Sequence, residues 1–247
     1  MLAPEGSWPD LSCFATLTRA LALSLVLVLI LILANCQLLI ANCCFIYNRL
    51  MGEKLLLVPW FAGILYSSIP LFWFVIHPVA QRWRAMPGSP YRFLLPFWAG
   101  AIGILASATW PWHSIRIYSI PWMWLPAVLF VVLGISIYRR IGPEFGSKNF
   151  AGQSELRPEI QDQVLVTSGL HTRMRHPIYF AHLFMFAGWT IGSGLLINYL
   201  LLAISAFVTF PLMIWLEERE LEKRFGQSYR DYKARVPLIP FQRRFSQ

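Results

Sequence analysis

Residues 176–216 read HPIYFAHLFMFAGWTIGSGLLINYLLLAISAFVTFPLMIWL, 41 residues without a Lys, Arg, Asp or Glu. A membrane-spanning helix needs about 20 apolar residues, so this stretch holds two. Gly192-Ser193-Gly194 supplies the turn between them. The first arm, Ile178 to Ile191, has 14 residues; at a rise of about 1.5 Å each it falls short of a hydrocarbon core of about 30 Å. The reading is a helical hairpin with a short first arm, whose two ends return to the same side.

Working outward, the charges upstream leave similar gaps. Uncharged runs of 29, 27, 23 and 22 residues separate Arg19 from Arg49, Lys54 from Arg82, Arg92 from Arg116 and Arg116 from Arg139. Each accommodates one span, over residues 20–46, 55–76, 93–110 and 118–138. Pro59, Pro70, Pro96, Pro121 and Pro126 are tolerated as membrane helices allow. The expected fold class is therefore all-α, a polytopic membrane bundle of about six hydrophobic helices that includes the C-terminal hairpin. Composition agrees: 57% of the 247 residues are hydrophobic and 13% charged, against roughly 25% charged in soluble domains.

The net charge of +9 does not point to nucleic acid, because no soluble domain carries a basic cluster. Bilayer topology accounts for it. With the N-terminus, the loop around Arg82, residues 139–175 and the C-terminal tail on one side, that side holds 18 of the 21 Lys and Arg; the other holds Arg49, Lys54 and Arg116. Cytoplasmic loops carry the excess of Lys and Arg, so both termini are expected in the cytoplasm. Trp110, Trp112, Trp122 and Trp124 flank a short loop on the far side, as interfacial aromatic rings do.

Cys13, Cys36, Cys43 and Cys44 all precede residue 45, with no Cys-x-x-Cys spacing. They read as buried inert thiols, and no metal is expected. Glu5 and Asp10 precede a long apolar run, which argues for a retained first helix rather than a cleaved signal. Asn35 before Cys36 breaks the pattern of a lipoprotein cleavage site.

Two polar segments remain. Arg139 to Arg175 holds four acids, six bases and several Gly and Pro and reads as a long functional loop. Glu217 to Arg235 carries Leu221, Phe225, Tyr229 and Tyr232 at helical spacing on a charged background, predicting one amphipathic helix on or near the membrane. The chain thus divides into residues 1–140, N-terminal spans, and 141–247, a core built around the hairpin.

No Asp, Glu, Lys or Arg lies within the spans, which disfavours a pump or an ion-coupled transporter. Chemistry gathers instead at the hairpin ends: Arg173, Arg175, His176, Tyr179 and His182 at the start, Glu217 and Glu218 at the finish. Opposite charges lining one pocket suit a zwitterionic ligand, its carboxylate on Arg and its cationic centres near Glu and aromatic faces; S-adenosylmethionine has those groups. The simpler readings are solvation of the two glutamates at a helix end and a positive-inside anchor at Arg175 and His176.

Leu165-Val166-Thr167-Ser168-Gly169, then Arg175-His176-Pro177-Ile178-Tyr179, then Glu217-Glu218-x-x-Leu221-x-x-x-Phe225-Gly226-x-x-Tyr229-x-x-Tyr232-x-x-x-Val236-Pro237, closing on Ile239-Pro240-Phe241, resembles the isoprenylcysteine carboxyl methyltransferase family. The resemblance covers about residues 160–241 and implies S-adenosylmethionine as cofactor. Arg175, His176, Pro177, Tyr179, Glu217 and Glu218 become its candidate binding residues. Where that family has an aromatic-rich stretch, this chain has Leu170-His171-Thr172-Arg173-Met174.

Methyl transfer from a sulfonium is an in-line displacement, helped chiefly by proximity and exclusion of water. The resemblance implies a lipophilic acceptor such as a prenylcysteine carboxylate; the expectation is that it arrives laterally from the membrane lipid and that Arg173 or Arg175 is the catalytic residue that orients it. A thiol or phospholipid amine would need a base, for which His171, His176 and His182 are available. Two other classes stand beside this reading: a sterol-reductase-like enzyme using a nicotinamide cofactor, and a non-catalytic membrane scaffold.

Overall fold

Proline and glycine set most of the boundaries in the computed structural model, which describes residues 53–150, 152–157 and 164–239. The apolar run 20–46 and the four cysteines lie outside the described residues, so the count of six spans and the cysteine reading are not addressed by them. Every regular element among the described residues is helical, the one bridge being Arg116 with Leu195.

Helix α1 (Glu53–Ile76) contains Pro59 and Pro70. A Pro87-Gly88-Ser89-Pro90 turn, with Gly88 at φ 84°, leads into α2 (Tyr91–Thr109). The next helix, predicted over 118–138, is displaced: α3 runs Trp124–Phe150. Residues 118–123 stay outside it because Pro121 opens a short 3-10 turn instead. At the other end the helix continues beyond Arg139 into the polar segment read as a loop, and Pro143 sits inside it.

The hairpin forms as read. In α4 (Pro177–Ser193) proline occupies the first turn, where its missing N–H costs nothing. The helix ends at Gly194, whose φ of 66° is left-handed and whose N–H donates to Thr190 O at 3.0 Å. With 17 residues α4 spans about 25 Å, the short arm expected. The return arm is α5 (Leu196–Ile204), a π-helical turn over Ser205–Thr209, and α6 (Phe210–Phe225). Pro211 has no N–H for Phe207 O, which accounts for the widened turn.

Four described helices are long and apolar enough to cross a membrane: 54–84, 91–112, 121–143 and 196–225. On α2 and α3, Leu95, Phe97, Ile104, Leu125, Leu129 and Val132 are exposed, a surface suited to lipid. Packing between α3 and α4 brings backbones into contact. A Cβ on Gly188 would lie 2.9 Å from Ala127 O, and one on Gly134 would lie 3.0 Å from Ala181 O. Small residues permit such an approach between membrane helices. Helix α1 docks on α5 through the fully buried Asn198, whose Nδ2 donates to Pro59 O at 2.8 Å. Gly63 makes room, since a Cβ there would stand 2.3 Å from Asn198 Oδ1.

Glu217–Arg235 is not a single surface helix. α6 carries on from the apolar arm to Phe225, Gly226 turns the chain at φ 56° and ψ −125°, and α7 (Gln227–Arg235) follows. The apolar stripe does converge: Tyr229 and Tyr232 are buried with Leu165, Leu221 and Phe225 packed against them. It faces the protein's own core.

Candidate functional site

The hairpin geometry brings the cationic start of α4 against the acidic finish of α6. His176 precedes Pro177 with non-helical φ and ψ of −126° and 60°, which turns its imidazole back toward α6. There it bridges neighbouring glutamates: Nδ1 lies 3.1 Å from Glu217 Oε2 and Nε2 lies 3.2 Å from Glu218 Oε1. Adjacent helical residues point about 100° apart, so the two carboxylates do different work. Glu218 turns toward Arg175 Nε at 2.7 Å and Lys233 Nζ at 2.9 Å. Glu217 turns toward a cavity.

Arg175 fastens the C-terminal segment. Its Nη1 donates to Val236 O at 2.9 Å and Lys233 O at 3.3 Å, and its backbone N–H donates to Pro237 O at 3.1 Å. Farther along α6, Glu220 forms ion pairs with Arg224 at 3.0 Å and with Arg84, tying the turn after α1 to the same region.

The cavity measures about 480 Å³, within the range of small-molecule sites. Arg175, His176, Pro177, Tyr179 and Glu217 form part of its wall, with His171 and His182. Glu218 and Arg173 are not in the wall; Glu218 stands behind it and Arg173 is solvent-exposed. The opposite wall was not legible from motifs: Ile69, Phe72 and Trp73 from α1, Tyr91, Leu95 and Trp98 from α2. Leu221, Arg224, Phe225, Tyr229 and Tyr232 also line it, four of them signalled only as an apolar stripe. His176 stacks on Tyr179, ring centroids 5.5 Å apart and planes 12° from parallel.

Burial alone would pull the His176 imidazolium down, but Glu217 and Glu218 outweigh it and hold the group up at about 9. At neutral pH His176 is a cation and no base. Burial pushes His171 down to about 4, helped by the His176 charge, so it stays neutral. Because the folded value of His176 exceeds its ordinary 6.5, its contribution to stability is complete below pH 6.5 and is lost as pH rises through 9. The melting temperature in detergent is expected to fall across that window. A flat profile would contradict the ion-pair assignment.

Tyr229 is 1% exposed and its hydroxyl has no hydrogen-bond partner among the described residues. A buried unmade hydrogen bond costs about 1–3 kcal/mol. Tyr229→Phe is therefore expected to leave the ligand-free protein as stable or about 1 kcal/mol more stable; a drop in melting temperature would show that the hydroxyl has a partner.

The phospholipid methyltransferase family model matches residues 122–228, a range that spans α3, the hairpin and every charged residue of the cluster between Arg175 and Glu222. This part of the chain is similar to the isoprenylcysteine carboxyl methyltransferases. Relatives named protein-S-isoprenylcysteine O-methyltransferase include those of Tribolium castaneum, 38% identical over 85 residues (32% of this chain, 29% of the relative); Saccharomyces cerevisiae, 35% over 118 residues (46% and 47%); and Homo sapiens, 29% over 147 residues (56% and 46%). The resemblance read from the motifs is thus borne out. The chain spans about half or less of the length of these methyltransferases. No solved structure matches it.

Proposed function

We propose that the chain is an S-adenosylmethionine-dependent methyltransferase working at the membrane on a lipophilic acceptor, in the first instance the carboxylate of an isoprenylcysteine-like molecule. The observation that carries this reading is the shared wall: Glu217, His176 and Arg175 meet an aromatic and aliphatic surface from α1 and α2 in one cavity. Charged groups for a zwitterionic donor and an apolar lining for a lipid tail converge there.

When bound, the cofactor supplies an electrophilic methyl on a sulfonium. Glu217 is the carboxylate available to its cationic part, oriented by His176. Tyr179 reinforces it through a side-chain hydrogen bond to Glu217. Arg175 and Glu218 brace the wall and close the α7 segment over it. Arg173 and Arg175 were the sequence-based candidates for orienting the acceptor; Arg175 suits the support role, with Nε and Nη1 already engaged. The cavity lies at the hairpin ends, on the side to which the sequence assigns most of the Lys and Arg, so access from the cytoplasm is part of the proposal. The N-terminal helices would shape the acceptor's lateral path.

A phospholipid amine is the second acceptor, favoured by the description of the matching family model. Incubating the purified protein with methyl-labelled cofactor and either N-acetyl-S-farnesylcysteine or phosphatidylethanolamine vesicles decides between them. Label in a base-labile ester on the first supports the carboxylate; label on the amine moves the reading to the second; transfer to neither, with no label in a lipid extract, removes the methyltransferase assignment.

A further inference from the structure

One polar pair in the cavity region lies deeper than the charged cluster. His182 is six residues into the hairpin from His176, about 9 Å along the axis of α4. The Tyr138 hydroxyl of α3 hydrogen-bonds its Nδ1 and lies 3.5 Å from Nε2. His182 belongs to the cavity wall. Its ring sits 6.0 Å from Tyr66 on α1 and 6.4 Å from Phe210 on α6. Tyr66 is one turn from Ile69, which lines the same cavity with Phe72, Leu95 and Trp98. The pair therefore stands where the apolar wall begins, among helices that present their other faces to lipid. Polar groups at that depth are costly and mark function by default.

Neither neighbouring imidazole can serve in its place: His176 is the protonated partner of two glutamates, and His171 lies in the short 3-10 turn before α4, outside the span. Of two neutral groups sharing a hydrogen, the phenol is the stronger acid, so Tyr138 donates and the imidazole Nδ1 accepts. That fixes the tautomer with hydrogen on Nε2. Nε2, 3.5 Å from the same hydroxyl, is then a donor with no lone pair to take a proton.

We propose that His182, held by Tyr138, binds the methyl acceptor by donating from Nε2 to one oxygen of its carboxylate. The inference rests on the methyltransferase reading above. A carboxylate loses no proton on methylation, so an N–H that orients one oxygen and leaves the other to attack is sufficient.

The test uses the full chain in detergent with N-acetyl-S-farnesylcysteine and compares His182→Phe, which removes the donor, with His182→Gln, whose amide N–H reaches the Nε2 position. Tyr138→Phe releases the tautomer while keeping the ring. His182→Phe is expected to raise both the acceptor KM and its Kd, measured by equilibrium dialysis with S-adenosylhomocysteine present, by about tenfold, the order of one hydrogen bond to a charged group. S-adenosylhomocysteine affinity should stay within about twofold of wild type, the scatter of an uncoupled site, which also shows that the variant is folded. His182→Gln should recover most of the loss, and Tyr138→Phe should fall between. A glutamine variant as impaired as the phenylalanine one overturns the proposal, because a base cannot be replaced by an amide. So does an unchanged acceptor Kd in every variant, or wild-type transfer only to amines or thiols. Wild-type protein that binds no S-adenosylhomocysteine overturns the underlying reading itself, an outcome distinct from these.

Discussion

Glu218→Ala is expected to lower unfolding stability by about 3 kcal/mol or more and to weaken binding of S-adenosylhomocysteine through the wall it supports. Glu218 is 8% exposed and holds three cationic partners: Arg175 at 2.7 Å, His176 at 3.2 Å and Lys233 at 2.9 Å. Its removal leaves the Arg175 and His176 charges buried with less compensation, and an uncompensated buried charge is far costlier than an absent pair. It also frees α7, which Lys233 and the Arg175 contacts to Val236 and Lys233 tie to the hairpin. The measurement is a melting curve and a ligand titration on the same preparation. A small shift in melting temperature with unchanged affinity would show that the cluster is solvated and mechanically idle.

Gly188→Leu is expected to be equally severe for a different reason. Its first side-chain atom would meet Val131 Cγ2 at 2.6 Å and Ala127 O at 2.9 Å. A side-chain neighbour can turn away, but a helix carbonyl moves only if α3 moves. Overpacking costs about 1–3 kcal/mol, and more where backbone must shift. Separating α3 from α4 also pulls Tyr138 from His182, so loss of folded yield is expected together with loss of acceptor binding. A variant that purifies and melts like wild type would contradict the close α3–α4 contact.

The hairpin was legible because a bilayer imposes a length on every uncharged run, and 41 residues with one glycine turn admit only a fold-back. That the cationic start of the hairpin meets its acidic finish follows from that alone. Which arginine turns inward was not legible. Arg173 and Arg175 differ by two positions in a turn whose direction is set by backbone contacts to residues 232 and 237, far away in sequence. The extension of α3 beyond Arg139 was hidden by the polarity of a segment that leaves the apolar layer without leaving the helix. The break at Gly226 was hidden by a stripe whose period continues across it, from Phe225 to Tyr229. The far wall of the cavity was hidden most thoroughly. Trp73, Tyr91 and Trp98 carry no charge, and an aromatic ring facing a cavity has the same sequence signature as one facing lipid.

The most direct test of the central claim is calorimetric titration of the purified protein with S-adenosylhomocysteine and, separately, with reduced nicotinamide dinucleotide phosphate. A cavity walled by both ends of the hairpin predicts saturable binding of one S-adenosylhomocysteine per chain and no heat from the dinucleotide. No binding of the former, or saturable binding of the latter in its place, would contradict it.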